Sequence, residues 1–250
     1  MQQIENKQMS QNPYQTPADY GQIASMAQED ARASFIRKTY LHLLGAILVC
    51  IAIDATILTL FDAQLKQIVP MVTSGFNWLI VLGAFMGVSY IADRWAHSNV
   101  SQSQQYLGLG LYILAEAIIL IPLLYIAETF GPSGVIQSAG AVTAVVFTGL
   151  TLVVFFTKAD FSFLRWAIVA GTVIALGLIV VAVIFPGTVH LGFWFSAAMV
   201  VLAMGIILYN TSNVLHHYST HQHVAASLSL FASVALLFWY VLQIFMSMDD

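Results

Sequence analysis

The sequence predicts an all-α membrane protein, built as a bundle of seven transmembrane helices. Three observations support this prediction: long apolar stretches, few charged residues and only short gaps between the stretches. Each stretch is near the length of about 20 residues that a helix needs to cross a hydrocarbon core about 30 Å thick. The predicted spans are Phe35–Phe61, Phe76–Ala92, Tyr106–Ile126, Ile136–Phe156, Phe163–Phe185, Leu191–Tyr209 and Val224–Met248.

The composition agrees with this fold class and narrows the possible functions. Hydrophobic residues make up 59% of the chain and charged residues 8%, whereas an ordinary soluble domain carries about 25% charge. The mean hydropathy is +0.83. The net charge is −4 and there is no basic run, so the sequence gives no support for a nucleic-acid partner. The expected environment is a lipid bilayer.

The chain divides into an N-terminal tail, residues 1–34, and the seven-helix domain, residues 35–248. The tail is rich in Gln, Asn, Ser and Pro, a composition typical of disordered segments. Its last part, Tyr20–Ser34, is compatible with a frayed helix that leads into the first span. The tail is either a solvated leader or a contact site for a partner protein.

Lysine and arginine placement predicts the orientation of the bundle. Seven of the eight such residues lie in the tail, at the start of the first span or in the connections after spans 2 and 4, and Lys66 alone lies on the other side. Cytoplasmic loops carry an excess of Lys and Arg. We therefore expect a cytoplasmic N-terminus and, after seven crossings, an external C-terminus.

Small residues inside the spans predict close helix packing. Gly83 and Gly87 in span 2 have the small-xxx-small spacing, which lets a neighbouring helix approach closely. Packing within the bundle is the first interpretation, and contact with a second copy is the alternative. Thr143 and Thr151 in span 4 carry hydroxyls that can bond to backbone carbonyls.

Two acidic residues inside the spans are candidates for an ion path or for proton sensing. Glu116 lies near the middle of span 3 and Asp54 in the last third of span 1. A carboxylate facing lipid at that depth would be costly, so Glu116 is expected to face the bundle interior. It is either a cation or proton site or a neutral, hydrogen-bonded acid that fixes packing. Asp54 has the same alternatives, or reaches only toward outer water.

The connection between spans 6 and 7 contains four histidines, His216, His217, His221 and His223. Imidazole is a common ligand of zinc, copper and nickel, but the spacing matches no structural zinc pattern. The alternatives are a metal site, a pH-sensitive charge, or a polar loop without further function. The chain has no catalytic motif such as Gly-x-Ser-x-Gly or His-Glu-x-x-His. We expect neither enzymatic activity nor a cofactor.

Several segments resemble, in the expected order, those of the transmembrane Bax inhibitor motif family. The segment Phe35–Tyr40 opens span 1, and Phe147–Thr151 is followed by Thr157–Ser162, which contains the motif residues Thr157, Lys158 and Asp160. Tyr209–Thr211 and Ala226–Phe231 resemble the C-terminal half of the family. The resemblance implies a bundle with a central helix. It also implies a pH-sensitive calcium leak in some members and, in bacterial members, association with an ATP-dependent membrane protease in the plasma (inner) membrane.

The sequence departs from the family at the residues that sense protons. In leak-conducting members, two aspartates near the cytoplasmic ends of spans 6 and 7 share a proton; the matching positions here are Asn210 and Ser233. Neither residue ionises, so this mechanism does not carry over, whereas the acid of span 3 matches Glu116. Three hypotheses remain: a leak of calcium or another cation, a regulator of a membrane protease or other membrane partners, and a transporter. The sequence leaves the oligomeric state open.

Overall fold

The computed structural model describes residues 23–97 and 101–248, and within them the chain folds into eight α-helices. Seven of these helices are long and apolar enough to cross a membrane, which confirms the predicted fold class. The helices are α1 Glu29–Leu60, α2 Asp62–Thr73, α3 Phe76–Ala96, α4 Gln102–Phe130, α5 Val135–Thr157, α6 Arg165–Ile184, α7 Phe193–His216 and α8 His223–Ser247. A short 3-10 turn, Ser162–Leu164, precedes α6.

The seven long helices run alternately between two ends of the bundle. We call the end where α1 begins the basic end, because six of the seven Lys and Arg residues in the described part of the chain lie there. The other end, which carries Lys66, is the opposite end. Lys7 and the rest of the first 22 residues lie outside the described part, as does most of the predicted disordered tail.

The central helix implied by the family resemblance is α8. It packs against α1, α3, α4, α5 and α7, and its side chains Leu230, Leu237 and Leu242 are fully buried. Helix α4 is also strongly enclosed, with two-thirds of its most apolar window buried, against half for α8. In α6, by contrast, only Ala175 is buried. Helices such as α6 therefore present apolar side chains to lipid.

Helix α1 begins at Glu29 rather than at Phe35. The earlier start places Glu29 and Asp30 in the first turn, where negative charge interacts favourably with the helix dipole. Residues before the helix also make contacts: Ile23 forms an antiparallel bridge with Ser219. Residues 23–34, which the prediction placed in the tail, therefore take part in the described structure.

Helix α7 extends seven residues beyond the predicted end at Tyr209. The added residues are mostly polar, so the apolar pattern ended before the helix did. Thr211 and Ser212 within this extension are nonetheless fully buried. Ser212 accepts a hydrogen bond from the backbone N–H of Phe161 at 2.9 Å, which fixes the end of α7 to the connection between α5 and α6.

Helix α2 is a short element in what the sequence predicted to be a simple connection. Its 12 residues would span only about 18 Å at 1.5 Å per residue, too short to cross a bilayer. Leu65 and Val69 form a small buried cluster with Ile121 and Tyr125 of α4. This packing holds α2 against the opposite end of the bundle.

A close approach of two helices involves a different glycine from those predicted. A Cβ atom on Gly83 or Gly87 would meet nothing within 4 Å, so this pair makes no close packing contact within the described chain. A Cβ on Gly108 of α4 would lie 2.5 Å from the carbonyl oxygen of Ala92 and 2.6 Å from the backbone nitrogen of Ala96. Gly108 therefore allows α3 and α4 to touch backbone to backbone.

Candidate functional site

The two acidic residues predicted as ion-path candidates lie together inside the bundle. Glu116 is 6% exposed and Asp54 is also 6% exposed, so Asp54 does not reach outer water. Their carboxyl groups are close enough to interact electrostatically, and Tyr112 contacts the Glu116 carboxyl from one helical turn away. Asp54 Oδ2 accepts a hydrogen bond from the Cys50 thiol at 3.6 Å. Helices α1 and α4 thus form a buried acidic centre.

A cavity of about 390 Å³ extends to this acidic centre. It reaches from Thr73 and Gln243, near the opposite end, to Tyr112 and Glu116 at the middle of α4. Most of its lining is apolar, including Trp78 and Trp239, whose rings stack with centroids 6.1 Å apart. A large, mostly apolar cavity with a few polar groups is the usual form of a ligand or ion site.

Asn210 and Ser233, the positions where the resemblance implies an aspartate pair, are in direct contact. The Asn210 side-chain amide donates to Ser233 Oγ at 2.8 Å and to the backbone carbonyl of Ser229 at 3.1 Å. Ser233 Oγ in turn donates to the same carbonyl at 2.7 Å. Helices α7 and α8 are therefore joined by a neutral pair in which every bond forms without a carboxylate.

Three buried hydroxyls close to the basic end were not recognised as a group from the sequence. Tyr40 of α1 lies beside Thr151 and Thr211, but none of these three hydroxyls is in hydrogen-bond geometry with another described residue. Thr151 therefore does not bond to a backbone carbonyl as expected, and neither does Thr143. The three belong to different helices, so no spacing along the chain could have brought them together.

The family motif forms the turn between α5 and α6. Thr157 Oγ1 donates to the backbone carbonyl of Val153 at 2.7 Å, and Lys158 ends the helix with φ at 51°. The Asp160 carboxylate accepts hydrogen bonds from the backbone N–H of Ser162 at 2.9 Å and from the Ser162 hydroxyl. These bonds lower the pKa of Asp160. The motif residues shape a connection and do not reach the acidic centre.

The four predicted loop histidines are not brought to one point. His216 bonds through Nδ1 to the Ser212 carbonyl at 3.0 Å, and His217 Nε2 lies 3.9 Å from Asp160 Oδ2. His221 is exposed. Among residues 23–97 and 101–248, no three His, Cys, Asp or Glu side chains are placed to hold a metal ion. The metal-site alternative therefore finds no support in this part of the chain.

His223 belongs instead to a contact between three helices. Its ring lies 5.0 Å from that of His42 in α1, measured between centroids. Tyr106 of α4 connects the two, with its hydroxyl 3.0 Å from His42 Nε2 and 3.5 Å from His223 Nε2. His42 and Tyr106 were missed because each stands alone in its own span, without a motif.

The sequence model of the family described as "Inhibitor of apoptosis-promoting Bax1" matches residues 32–250, which include all seven membrane-spanning helices. The chain belongs to this Bax inhibitor family. The observed central helix and the contact between residues 210 and 233 fit the resemblance noted in the sequence. The protein is an integral membrane protein of this family.

Similar proteins come from bacteria and a virus. The chain is 30% identical over 211 residues to "Modulator of FtsH protease YccA" of Escherichia coli, covering 84% of this chain and 88% of that protein. It is 28% identical over 229 residues to the "Golgi anti-apoptotic protein" of vaccinia virus, covering 90% of each. It is 40% identical over 116 residues to protein PA2604 of Pseudomonas aeruginosa, where the match covers 46% of this chain and about half, 51%, of that protein.

Proposed function

We propose that this Bax inhibitor family protein is a regulator that modulates an ATP-dependent membrane protease, from within a bacterial inner membrane. The observation that carries the proposal is the hydrogen-bonded pair of Asn210 and Ser233. A gate that responds to protons needs groups that ionise, and an amide bonded to a hydroxyl supplies none. The pair instead gives α7 and α8 a fixed, neutral junction.

The similarity to the modulator of FtsH protease supports the same proposal. It covers 84% of this chain and 88% of that protein, so it extends over most of the bundle rather than over one motif. The exposed apolar surface of α6, in which only Ala175 is buried, provides a helix face available to a membrane-embedded partner.

The test is the rate at which a protease of the FtsH class degrades a membrane protein substrate in reconstituted vesicles. Adding this protein is expected to change that rate at least about twofold and to allow its co-purification with the protease. An unrelated seven-helix protein at the same ratio is the control for crowding of the bilayer. An unchanged rate together with no co-purification would reject the proposal.

A cation leak is the second candidate, supported by a different observation. The cavity of about 390 Å³ reaches the Glu116 carboxyl, which interacts with Asp54. Buried acids lining a cavity in a membrane are typical of cation or proton paths. In this reading, Glu116 supplies the charge that attracts calcium or another cation, and the neutral pair of Asn210 and Ser233 plays no part in sensing pH.

Calcium flux into proteoliposomes distinguishes the leak from a packing role of the acid. Glu116→Gln is expected to change the flux, while a residue used only for packing would tolerate an amide that keeps its hydrogen-bonding capacity. Glu128→Gln is the matched control, because Glu128 lies in the same helix but is exposed. Measurable wild-type flux that both variants retain would remove Glu116 from the path.

A further inference from the structure

A second cavity, of about 410 Å³, lies at the basic end of the bundle. It is an open cavity bordered by the end of α3, the turn before α6 and the first residue of α6, the end of α7 and the connection to α8. Every lining side chain is polar, and none is a carboxylate. They comprise one guanidinium, two imidazoles, three hydroxyls and two amides, contributed by eight residues, of which Arg165, His97 and His217 carry or can carry positive charge. We call it the basic-end cavity.

Arg165 supplies the fixed positive charge of this cavity. In the described part of the chain, no carboxylate lies within 4 Å of its guanidinium. The guanidinium carbon lies over the ring of Trp166, 5.9 Å from the ring centroid. An arginine without an acidic partner, facing a cavity of this size, is suited to binding an anionic group in two parallel hydrogen bonds.

The two imidazoles are each associated with a carboxylate outside the lining. His97 Nδ1 lies 3.2 Å from Asp93 Oδ1, and His217 Nε2 lies 3.9 Å from Asp160 Oδ2. The Asp93 hydrogen bond raises the pKa of His97. The Asp160 carboxylate also accepts hydrogen bonds from Ser162, a lining residue, so two carboxylates adjoin the lining and Arg165 supplies its fixed positive charge.

We propose that the basic-end cavity binds the phosphate group of an anionic ligand, held by Arg165 and by the surrounding hydroxyl, amide and imidazole donors. Phosphate presents several acceptor oxygens in different directions, which matches donors arranged around a cavity rather than along one side. The volume is within the range of about 300–1,000 Å³ seen for small-molecule sites. The phosphate belongs either to the headgroup of an anionic lipid or to a soluble phosphate compound.

The cavity is connected to the pair of Asn210 and Ser233 through α8. Tyr218, one of the lining residues, has its hydroxyl 2.8 Å from Ser229 Oγ. The Ser229 carbonyl accepts the hydrogen bond from the Asn210 amide at 3.1 Å. A phosphate that engages Tyr218 would therefore act on the residue that joins α7 to α8. The inference is independent of the protease proposal, since it concerns a ligand and not a partner protein.

Binding is tested on the full-length protein in nanodiscs with two probes. In the first, inorganic phosphate is titrated onto protein in phosphatidylcholine nanodiscs, and binding is measured by calorimetry. In the second, phosphatidylglycerol replaces part of the phosphatidylcholine, and retained lipid is measured by native mass spectrometry. Binding of phosphatidylglycerol alone identifies a lipid headgroup as the source, and binding of inorganic phosphate identifies a soluble compound. Either result supports the site, and failure of both probes overturns it.

Variants assign the binding to the cavity. Arg165→Gln is expected to weaken binding of the active probe about tenfold or more, as for loss of hydrogen bonds to a charged group. Arg94→Gln is the matched control, because Arg94 is an arginine at the same end whose side chain bonds to Tyr90 and does not line the cavity. Equal weakening by both changes would show non-specific attraction and overturn the proposal.

A third variant tests whether the basic-end cavity binds the probe if Arg165→Gln does not fold. Tyr209→Phe removes one hydroxyl from the cavity lining and changes the side-chain volume very little. Weaker binding of the active probe by this variant supports the site. Binding equal to that of the wild type, with Arg165→Gln unfolded, overturns it.

Discussion

The hydrogen bond between Asn210 and Ser233 lies at the two positions where the family resemblance implies a pair of aspartates. At 2.8 Å the two side chains form an ordinary neutral hydrogen bond, and such bonds contribute about 0.5–2 kcal/mol between membrane helices. Two carboxylates at the same separation could not both remain ionised and would share a proton. We therefore expect the contact between α7 and α8 in this protein to lack the acid response of a carboxylate pair.

His97 provides a test of pH dependence at the basic end. Its hydrogen bond to Asp93 raises its pKa, so this interaction stabilises the fold fully below the ordinary value of about 6.5. The stabilisation is lost as the pH rises through the raised value of the folded state. The difference in melting temperature between the wild type and His97→Gln is expected to be larger at pH 5.5 than at pH 9.

The same comparison in an Asp93→Asn background is the control, because the amide removes the carboxylate that holds the proton on His97. In that background, His97→Gln should change the melting temperature by the same amount at pH 5.5 and at pH 9. If His97→Gln lowers the melting temperature equally at both pH values in the wild-type background, the pair does not titrate as described.

At the scale of single residues, the sequence identified the acids but not their surroundings. The depth of Glu116 in its span was enough to predict that it faces the interior. Its proximity to Asp54 depends on how α1 packs against α4, which no local pattern specifies. For the same reason the contact of His42, Tyr106 and His223 was missed, since each residue comes from a different helix.

At the scale of the helices, burial is concentrated in α4 and α8, and the packing of α4 depends on one glycine. Gly108→Ala would place a methyl group 2.5 Å from the Ala92 carbonyl oxygen, a backbone atom that cannot move aside alone. The substitution is expected to reduce the free energy of unfolding by about 1–3 kcal/mol, as for other overpacked sites. Unfolding in detergent, followed by circular dichroism, measures this change.

Gly110→Ala is the matched control for this substitution. It lies in the same helix, and a Cβ atom there would meet nothing within 4 Å. Because alanine favours helix by up to about 1 kcal/mol over glycine, this variant should be as stable as the wild type or more so. Equal loss of stability in both variants would mean that the close approach of α3 and α4 is not what Gly108 provides.

The helices that the sequence predicted well are those whose length and apolarity are set by the membrane. Each of the seven spans is an apolar stretch long enough to cross the bilayer, and this requirement is enough to predict it. Helix α2 is too short to span the bilayer and the end of α7 is polar, so neither follows from this requirement. Both are held by tertiary contacts, α2 through Leu65 against α4 and α7 through Ser212 against the turn after α5.

At the scale of the whole molecule, two cavities of different character lie toward opposite ends of one bundle. The mostly apolar cavity leads to Glu116, and the polar basic-end cavity contains Arg165. The described Lys and Arg residues lie six to one in favour of the basic end. The positive-inside rule would place that end, and the basic-end cavity, on the cytoplasmic side.

A reporter fused to the C-terminus tests this orientation. Because seven helices cross the membrane, the C-terminus is expected outside the cytoplasm. Alkaline phosphatase fused after residue 250 should then be active, and a green fluorescent protein fused there should not fluoresce. The reverse result would place the basic end outside, or require an even number of crossings.

The central claim, that a neutral pair replaces the acid-sensing pair of leak-conducting relatives, is tested most directly by calcium flux in proteoliposomes as a function of pH. The wild type is expected to show no acid-sensitive step from this pair, and any remaining pH response is expected to depend on His216, His217, His221 and His223. That response should flatten when all four are replaced by Gln.

The variant that carries both Asn210→Asp and Ser233→Asp should gain an acid-sensitive flux, because the 2.8 Å contact places the two new carboxyls where they must share a proton. A steep pH-dependent leak in the wild type that survives the loss of all four histidines would contradict the account.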